Sequence, residues 1–344
     1  MPASLLRFHG FREYLHVESL SIMPLETIRT LVQSDLEATD RFICSELASD
    51  IPLINQLIDY VYRCGGKRIR PLVVLLTARA FNHTGSQCID LAAAIELIHT
   101  ATLLHDDVVD SSTLRRGNKT ANHIWGNEMS VLVGDFLYSR AFQLIVKLAN
   151  IDILTIFSNA TNLIAEGEVL QLINCNDPNT TEQSYYDVIE RKTAKLFEVA
   201  AQIGIALTHH TPGQMEGLRR YGMHLGIAYQ LIDDALDYNS SAEAMGKNIG
   251  NDLIEGKPTL PIIHALRHAS GKEVALIRNA IEKGSAENLQ PILSIIESTD
   301  AILYTTNAAK QQALLAIDGL THVPDSLYKS ALHDLAEFVV TRKY

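Results

Sequence analysis

Two short stretches of the chain share one pattern, an apolar lead followed by D-D-x-x-D: "LLHDDVVD" at 103–110 and "QLIDDALD" at 230–237. Asp106 with Asp110, and Asp233 with Asp237, stand one helical turn apart, so each pair shares one face. Like charges at that spacing cost a helix about 0.2–0.5 kcal/mol per pair. Carboxylates that close an apolar helix are also expensive to desolvate unless they are paired or metal-bound. One such cluster is an ordinary solvated face. Two, each ending a strongly apolar helix, point to a cation. Oxygen donors without Cys or paired His suit a hard ion, and Mg²⁺ typically takes one or two carboxylates, waters and phosphate oxygens. Two facing acidic helices would hold several Mg²⁺ ions around one diphosphate.

The basic residues then read as phosphate ligands. "GGKRIRP" supplies Lys67, Arg68 and Arg70 after a glycine-started turn, and Arg115 and Arg116 follow the first acidic cluster. Arg grips phosphate oxygens in bidentate fashion, which suits fixed anion recognition. His99 lies seven residues before Asp106, two turns away and nearly on the same face. Taken singly, these would pass for a surface turn, an exposed pair and a core histidine. Beside two acidic clusters they describe a site.

The elements that must carry these residues are helices. Apolar residues recur at three- and four-residue spacing in "LAAAIELIHTATLL", "LVGDFLYSRAFQLIVKLA" and "AKLFEVAAQIGIAL", and sustained strand-type alternation is absent. The spacing predicts helices over roughly 24–48, 51–64, 69–82, 88–110, 128–149, 151–174, 182–208, 213–239, 259–270, 272–283, 287–297, 300–318 and 325–341. "RCGGKRIRP", "SSTLRRGNKT", "NDPNTTEQ", "HHTPGQ" and "NIGNDLIEGKP" are the breaks. Several helices are apolar around most of their circumference and should be central. No Pro/Ser-rich linker divides the chain, so one all-α domain over 23–344 is expected, with 1–22 as a loose extension or an artefact of start-codon choice.

Composition excludes several classes. With 344 residues, 47% hydrophobic and 20% charged, the chain is of ordinary globular type, and its net charge of −11 argues against nucleic acid as the partner. Cys44, Cys64, Cys88 and Cys175 form no CxxC pair and read as reduced thiols, which suits the cytoplasm. No run of 18 apolar residues lacks a charge, so no membrane span is expected. The N-terminus lacks the basic-then-apolar pattern of a signal peptide.

In order along the chain, "GGKRIRP", "LIHTATLLHDDVVD", "RRGNKTAN", "VLVGDFLYSRAF", "AEGEVLQL", "KTAKLF", "YQLIDDALDY" and "DLIEGKPTLP" resemble the trans-type polyprenyl diphosphate synthases, most closely the long-chain octaprenyl synthases of the ubiquinone pathway. The resemblance runs from about residue 24 to the C-terminus. It implies an all-α single-domain helical bundle around a deep central cavity (the isoprenoid synthase fold), commonly a homodimer. It also implies a Mg²⁺-dependent prenyl transfer from an allylic diphosphate, farnesyl diphosphate here, to isopentenyl diphosphate, with roughly three Mg²⁺ ions when substrate is bound. Product release would involve peripheral membrane contact.

Carried to matching positions, the resemblance gives Lys67, Arg70, His99 and Arg116 to the isopentenyl diphosphate. Asp106 and Asp110 would bind Mg²⁺ on the allylic diphosphate, with Arg115 touching that diphosphate directly. Lys192, Thr193, Gln230, Lys247 and Lys257 would complete the allylic site, and Asp233 and Asp237 would hold a further Mg²⁺. Lys192 counts with the four aspartates as catalytic.

Two positions depart from the family pattern. Ser111 stands where Glu often follows the first acidic motif, and "GNDL" puts Asn251 where Asp is usual, which removes a charge from the metal's surroundings. Rival readings on the same fold are a terpene cyclase or head-to-head synthase, a short-chain farnesyl or geranylgeranyl synthase, and a non-catalytic partner subunit. The second set of cations disfavours the first and the two intact acidic clusters disfavour the last. Product length is a matter of geometry. Counting back from Asp106 at about 100° per residue, Thr102, Ile98 and Ile95 lie within roughly 80° of its direction. The product tail would descend that stripe. The resemblance places length control at Ala101 and Thr102, where short-chain members carry aromatics. Both are small here, so a long product of the octaprenyl class is expected.

Overall fold

A computed structural model describes residues 23–63, 65–238, 249–285 and 287–342. Lys247, the N-terminal 22 residues and Cys64 lie outside that set. Seventeen α-helices and one two-stranded hairpin make up the described chain. In chain order they are α1 (Leu25–Thr30), α2 (Gln33–Glu46), α3 (Pro52–Arg63), α4 (Ile69–Ala80), α5 (Gln87–Val109), β1 (Leu114–Arg115), β2 (Asn118–Lys119), α6 (Ala121–Trp125), α7 (Asn127–Lys147) and α8 (Ile151–Asn174). There follow α9 (Glu182–Ile189), a π turn (Glu190–Ala194), α10 (Lys195–Ile205), α11 (Pro212–Asp237), α12 (Asn251–Ile254), α13 (Leu260–His268), α14 (Lys272–Lys283), α15 (Leu289–Ser298), α16 (Ala301–Gly319) and α17 (Leu327–Thr341).

Helix starts are written in short polar signals. Asn150 caps α8 by accepting from the Asp152 and Ile153 amides. Thr211 and Gln214 form a reciprocal capping box on α11, with Pro212 pre-set in the first turn. Such caps contribute about 0.5–2 kcal/mol each.

The core forms where helices are apolar all round. On α4, Leu72, Val73, Val74, Leu75 and Leu76 are all fully buried, and so are Leu91 through Ile95 on α5. The two pack on each other and on α10, and α10 packs on α11. Around this centre lie α2 and α7 against α5, α8 against α10, and α16 and α17 against α11. A smaller cluster joins α13, α14 and α15 through Ile262, Ile277, Ile292 and Ile296. At about 1.5–3 kcal/mol per buried Leu, Ile or Val, these layers hold the ends of α5 and α11 in place.

The structure corrects three sequence expectations. The stretch 24–48 is two helices, because Val32 leaves the helical region (φ −131°, ψ 26°) between α1 and α2. The stretch 182–208 is interrupted by the π turn. The polar break after Asp110 contains the hairpin, with Leu114 opposite Lys119 and Arg115 opposite Asn118, and then the short α6. Apolar periodicity carries no signal for pieces this short. Among the described residues two helices, α5 and α7, have the length and hydropathy to cross a bilayer; the apolar stretch of α5 is mostly buried in the core, that of α7 less so.

Candidate active site

The first acidic pair closes α5. Asp106 and Asp110 face a cavity of about 190 Å³, whose lining also includes Lys192, Thr193, Gln230, Asp234 and Lys257. Each aspartate is met by a lysine from the second half of the chain. The Lys192 ammonium lies 3.4 Å from Asp106 and 2.5 Å from Glu168, and Lys257 lies 2.6 Å from Asp110 and 2.7 Å from Glu255. Burial opposes the charge on Lys257, but Asp110 and Glu255 outweigh it and hold the ammonium above the ordinary lysine value. Burial, reinforced by Asp106, pushes Glu168 up to about 7 against the pull of Lys192. The all-oxygen donor set already draws ammonium groups onto itself, which fits a divalent cation and its phosphate ligands. Among the described residues no three Asp, Glu, His or Cys side chains form a metal cage by themselves.

The second pair sits on α11, outside the cavity lining. Asp233 pairs with Arg342 at 2.8 Å. Asp237 accepts the Asn251 and Asp252 backbone N–H groups at 3.2 and 3.1 Å, so its carboxylate caps α12. Asn251 turns its side-chain amide to Glu255 at 2.7 Å. The middle residues of both motifs have structural partners. Asp107, 4% exposed, takes Arg115 at 2.8 Å, and Asp234, 2% exposed, takes Tyr185 and Gln230. Burial raises the Asp107 carboxyl against the pull of Arg115.

The π turn delivers Lys192 and Thr193. Its extra residue bulges into the slot between α8 and α11, and both walls are cut back to glycine. A methyl on Gly167 would stand 2.7 Å from the Lys192 backbone nitrogen, and one on Gly226 would stand 2.5 Å from the Ala194 Cα. π bulges inside helices are rare and concentrate at functional sites.

The basic residues gather apart from this cavity. Arg70 packs its guanidinium over the Phe197 ring at 4.3 Å and touches His99 at 3.2 Å. Burial, together with Arg70, Arg116 and Arg115, drives the His99 pKa well below its ordinary value, so its imidazole is neutral at pH 7. Arg116 holds φ +53° beside Gly117 at +75°, the backbone of a tight hairpin turn, and donates to the Gly65 carbonyl. The Lys67 carbonyl accepts from Arg29 at 2.8 Å. Arg68 turns away to Glu96 (2.5 Å) and Asp40 (3.6 Å), so it is a structural cation. Of the length-control candidates, Ile95, Ile98 and Ala101 are fully buried, and the half-buried Thr102 donates its hydroxyl proton to the His99 carbonyl at 2.8 Å. None of the four lines the cavity as it stands.

Sequence reasoning missed Glu168, Tyr185, Asp234 and Arg342. Glu168 stands inside the quoted "AEGEVLQL" and Asp234 inside the second acidic motif, so both were in view without a role. Tyr185 and Arg342 carry no local signal; only the fold brings them to α11.

Comparison with known proteins shows the family. The sequence model described as Polyprenyl synthetase matches residues 51–296. The chain is 49% identical over 324 residues to the octaprenyl diphosphate synthase of Haemophilus influenzae, covering 94% of this chain and 98% of that one. It is 45% identical over 312 residues to the all-trans-nonaprenyl-diphosphate synthase of Rhodobacter capsulatus, covering 90% and 96%. The crystal structure of a polyprenyl synthase from Caulobacter crescentus, complexed with calcium and isoprenyl diphosphate, superposes with a TM-score of 0.90 at 39% identity, covering 94% of this chain and 99% of that one. A lysine-clasped acidic pair in an all-α fold, with these relatives across nearly its whole length, makes the chain a prenyltransferase that belongs to the polyprenyl synthetase family.

Proposed function

We propose that the chain condenses isopentenyl diphosphate with an allylic diphosphate, farnesyl diphosphate for preference, to make an all-trans long-chain product of the octaprenyl class for quinone side chains. The observation that carries this reading is the cavity in which Asp106 and Asp110 meet Lys192 and Lys257 beside Thr193 and Gln230. Lys192, Lys257, Lys247 and Arg115 bind the allylic diphosphate. Arg70, His99, Arg116 and Lys67 hold the isopentenyl diphosphate, the neutral His99 acting as a hydrogen-bond partner. Asp106 and Asp110, with Asp233 and Asp237 from α11, are the residues that would hold Mg²⁺. Bound there, the ions would neutralise charge on the departing diphosphate. The lysines add fixed positive charge at the same leaving group. Thr193 and Gln230 place polar atoms at the reacting carbon, and the apolar helices around them keep water from the allylic cation. The proton lost after attack passes to the released diphosphate.

The exposed apolar residues Leu132 and Val146 on α7 and Ile151, Val169 and Ile173 on α8 line one helical hairpin and support a homodimer, which sedimentation at twice the monomer mass checks. Cys44, Cys88 and Cys175 are free thiols, in keeping with a reducing cytoplasm. Growth of so apolar a product calls for peripheral membrane contact at release.

Turnover of isopentenyl and farnesyl diphosphate by the purified chain with Mg²⁺, with mass analysis of the dephosphorylated product, tests the reading. Relatives of similar identity carry octaprenyl and nonaprenyl names, so the mass decides length. Asp106→Ala should lose more than about a thousandfold in kcat with the fold intact. Near-wild-type turnover at saturating Mg²⁺ would falsify the acidic site.

A further inference from the structure

Four side chains on the cavity wall form a single file of hydrogen bonds. The Tyr185 hydroxyl donates to one oxygen of Asp234, the Gln230 amide donates to the other at 2.7 Å, and the Thr193 hydroxyl donates to the Gln230 carbonyl at 2.9 Å. All four line the cavity, and Tyr185 and Asp234 are 4% and 2% exposed. Asp234 belongs to the second acidic motif, yet both of its oxygens are occupied by these donors.

The file has a direction. In its ionised form Asp234 only accepts, so the end of Gln230 facing it must be its NH₂ and the end facing Thr193 its carbonyl. Thr193 is thereby made the donor, and its oxygen lone pairs are left for the cavity it lines. We propose that Asp234 and Tyr185 are positioning residues for prenyl transfer: they fix the polarity of this file so that Thr193 presents the negative end of its hydroxyl dipole to the allylic cation. The inference rests on the prenyl-transfer reading above. A dipole set in advance by a buried network stabilises developing charge without reorganising when the bond ionises.

The test is reversal of the file. Asp234→Asn keeps the shape but gives the position an NH₂ of its own, so the order is no longer imposed. With the Tyr185 hydroxyl still donating to the Asn carbonyl, that NH₂ faces Gln230, which then flips, and Thr193 becomes an acceptor with its O–H aimed into the cavity. With isopentenyl and farnesyl diphosphate and saturating Mg²⁺, kcat should fall roughly a hundredfold while both KM values stay within about threefold and the melting temperature is retained. Adding Gln230→Glu restores the order, because a carboxylate at 230 accepts from the new amide and from Thr193. The double variant should recover about tenfold of the loss, which a merely structural carboxylate does not predict. Wild-type kcat in Asp234→Asn, or a double variant no faster than the single one, overturns the proposal. Should Asp234→Asn fail to fold, Tyr185→Phe decides. It leaves one buried oxygen without its donor and should lower kcat about three- to tenfold at unchanged KM, and wild-type kcat there overturns the proposal. A wild-type chain inactive on these substrates would instead overturn the prenyl-transfer reading itself.

Discussion

Asp106 and Asp110 each meet a cation drawn from sequence 86 and 147 residues away, and that pairing explains how a like-charged helix end is tolerated without a ligand. Glu168 is the strained member. Its carboxyl, ordinarily near 4.5, is pushed up to about 7 by burial and Asp106, so folding favours its protonated form. A raised carboxyl pKa contributes stability that is complete below about 4.5 and lost as pH rises through about 7. In Mg²⁺-free solution Glu168→Gln should therefore flatten the fall in melting temperature across that window. An unchanged profile would show that Glu168 is not the titrating group. The basic group is tested separately. Arg116→Ala should raise KM for isopentenyl diphosphate about ten- to a hundredfold, the value of one charge-assisted contact, and leave the allylic KM less affected. A larger change in the allylic KM would reverse the assignment of the two diphosphates.

Short irregular elements do the aiming. The hairpin after α5 is closed at its base by Thr120 donating to the Ser112 carbonyl at 2.7 Å, and Asn122 of α6 ties that base to α5 by donating to the Ser112 and Asp107 carbonyls at 3.1 and 3.0 Å. Its turn holds Arg116 in the left-handed region, a conformation that costs a non-glycine residue about 1 kcal/mol. The π turn is the second such element, and its slot has no room for a side chain. Gly167→Ala should destabilise the protein by about 1–3 kcal/mol and lower kcat as Lys192 and Thr193 shift. Gly213→Ala in the first turn of α11, where the nearest atom is 3.9 Å away, is the control and should change neither. Equal behaviour of the two variants, in melting temperature and in kcat, would remove the slot from the account.

At the scale of the molecule the open variable is product length. The stripe of Thr102, Ile98 and Ile95 runs from the Asp106 end of α5 toward the buried core. On the proposed product path, Thr102→Phe or Ala101→Phe would put a ring in the way of the tail, and close-packed surroundings resist such an insertion. Each variant should release farnesyl or geranylgeranyl diphosphate with ionisation intact. A full-length product from both would sink the stripe, and a wild-type product of geranylgeranyl length or shorter would sink the long-chain reading.

By itself the sequence determined the helical class, the two acidic pairs and the family, because these are local: periodicity, i,i+4 spacing and contiguous motifs need no distant partner. It grouped Lys192, Thr193, Gln230 and Lys257, which the structure brings to one cavity, but only through the resemblance, since nothing in their spacing brings α11 to α5. Tertiary structure alone decided which charges meet. It turned Arg68 away from the other cations of "GGKRIRP", gave Asp237 to the α12 amides and Asp233 to Arg342, and buried Asp107 and Asp234 with private partners. Those outcomes rest on packing between helices far apart in the chain. Whether an aspartate in D-D-x-x-D faces the cavity or a neighbouring helix depends on how that helix is rotated in the bundle, and the rotation is set by every residue it buries.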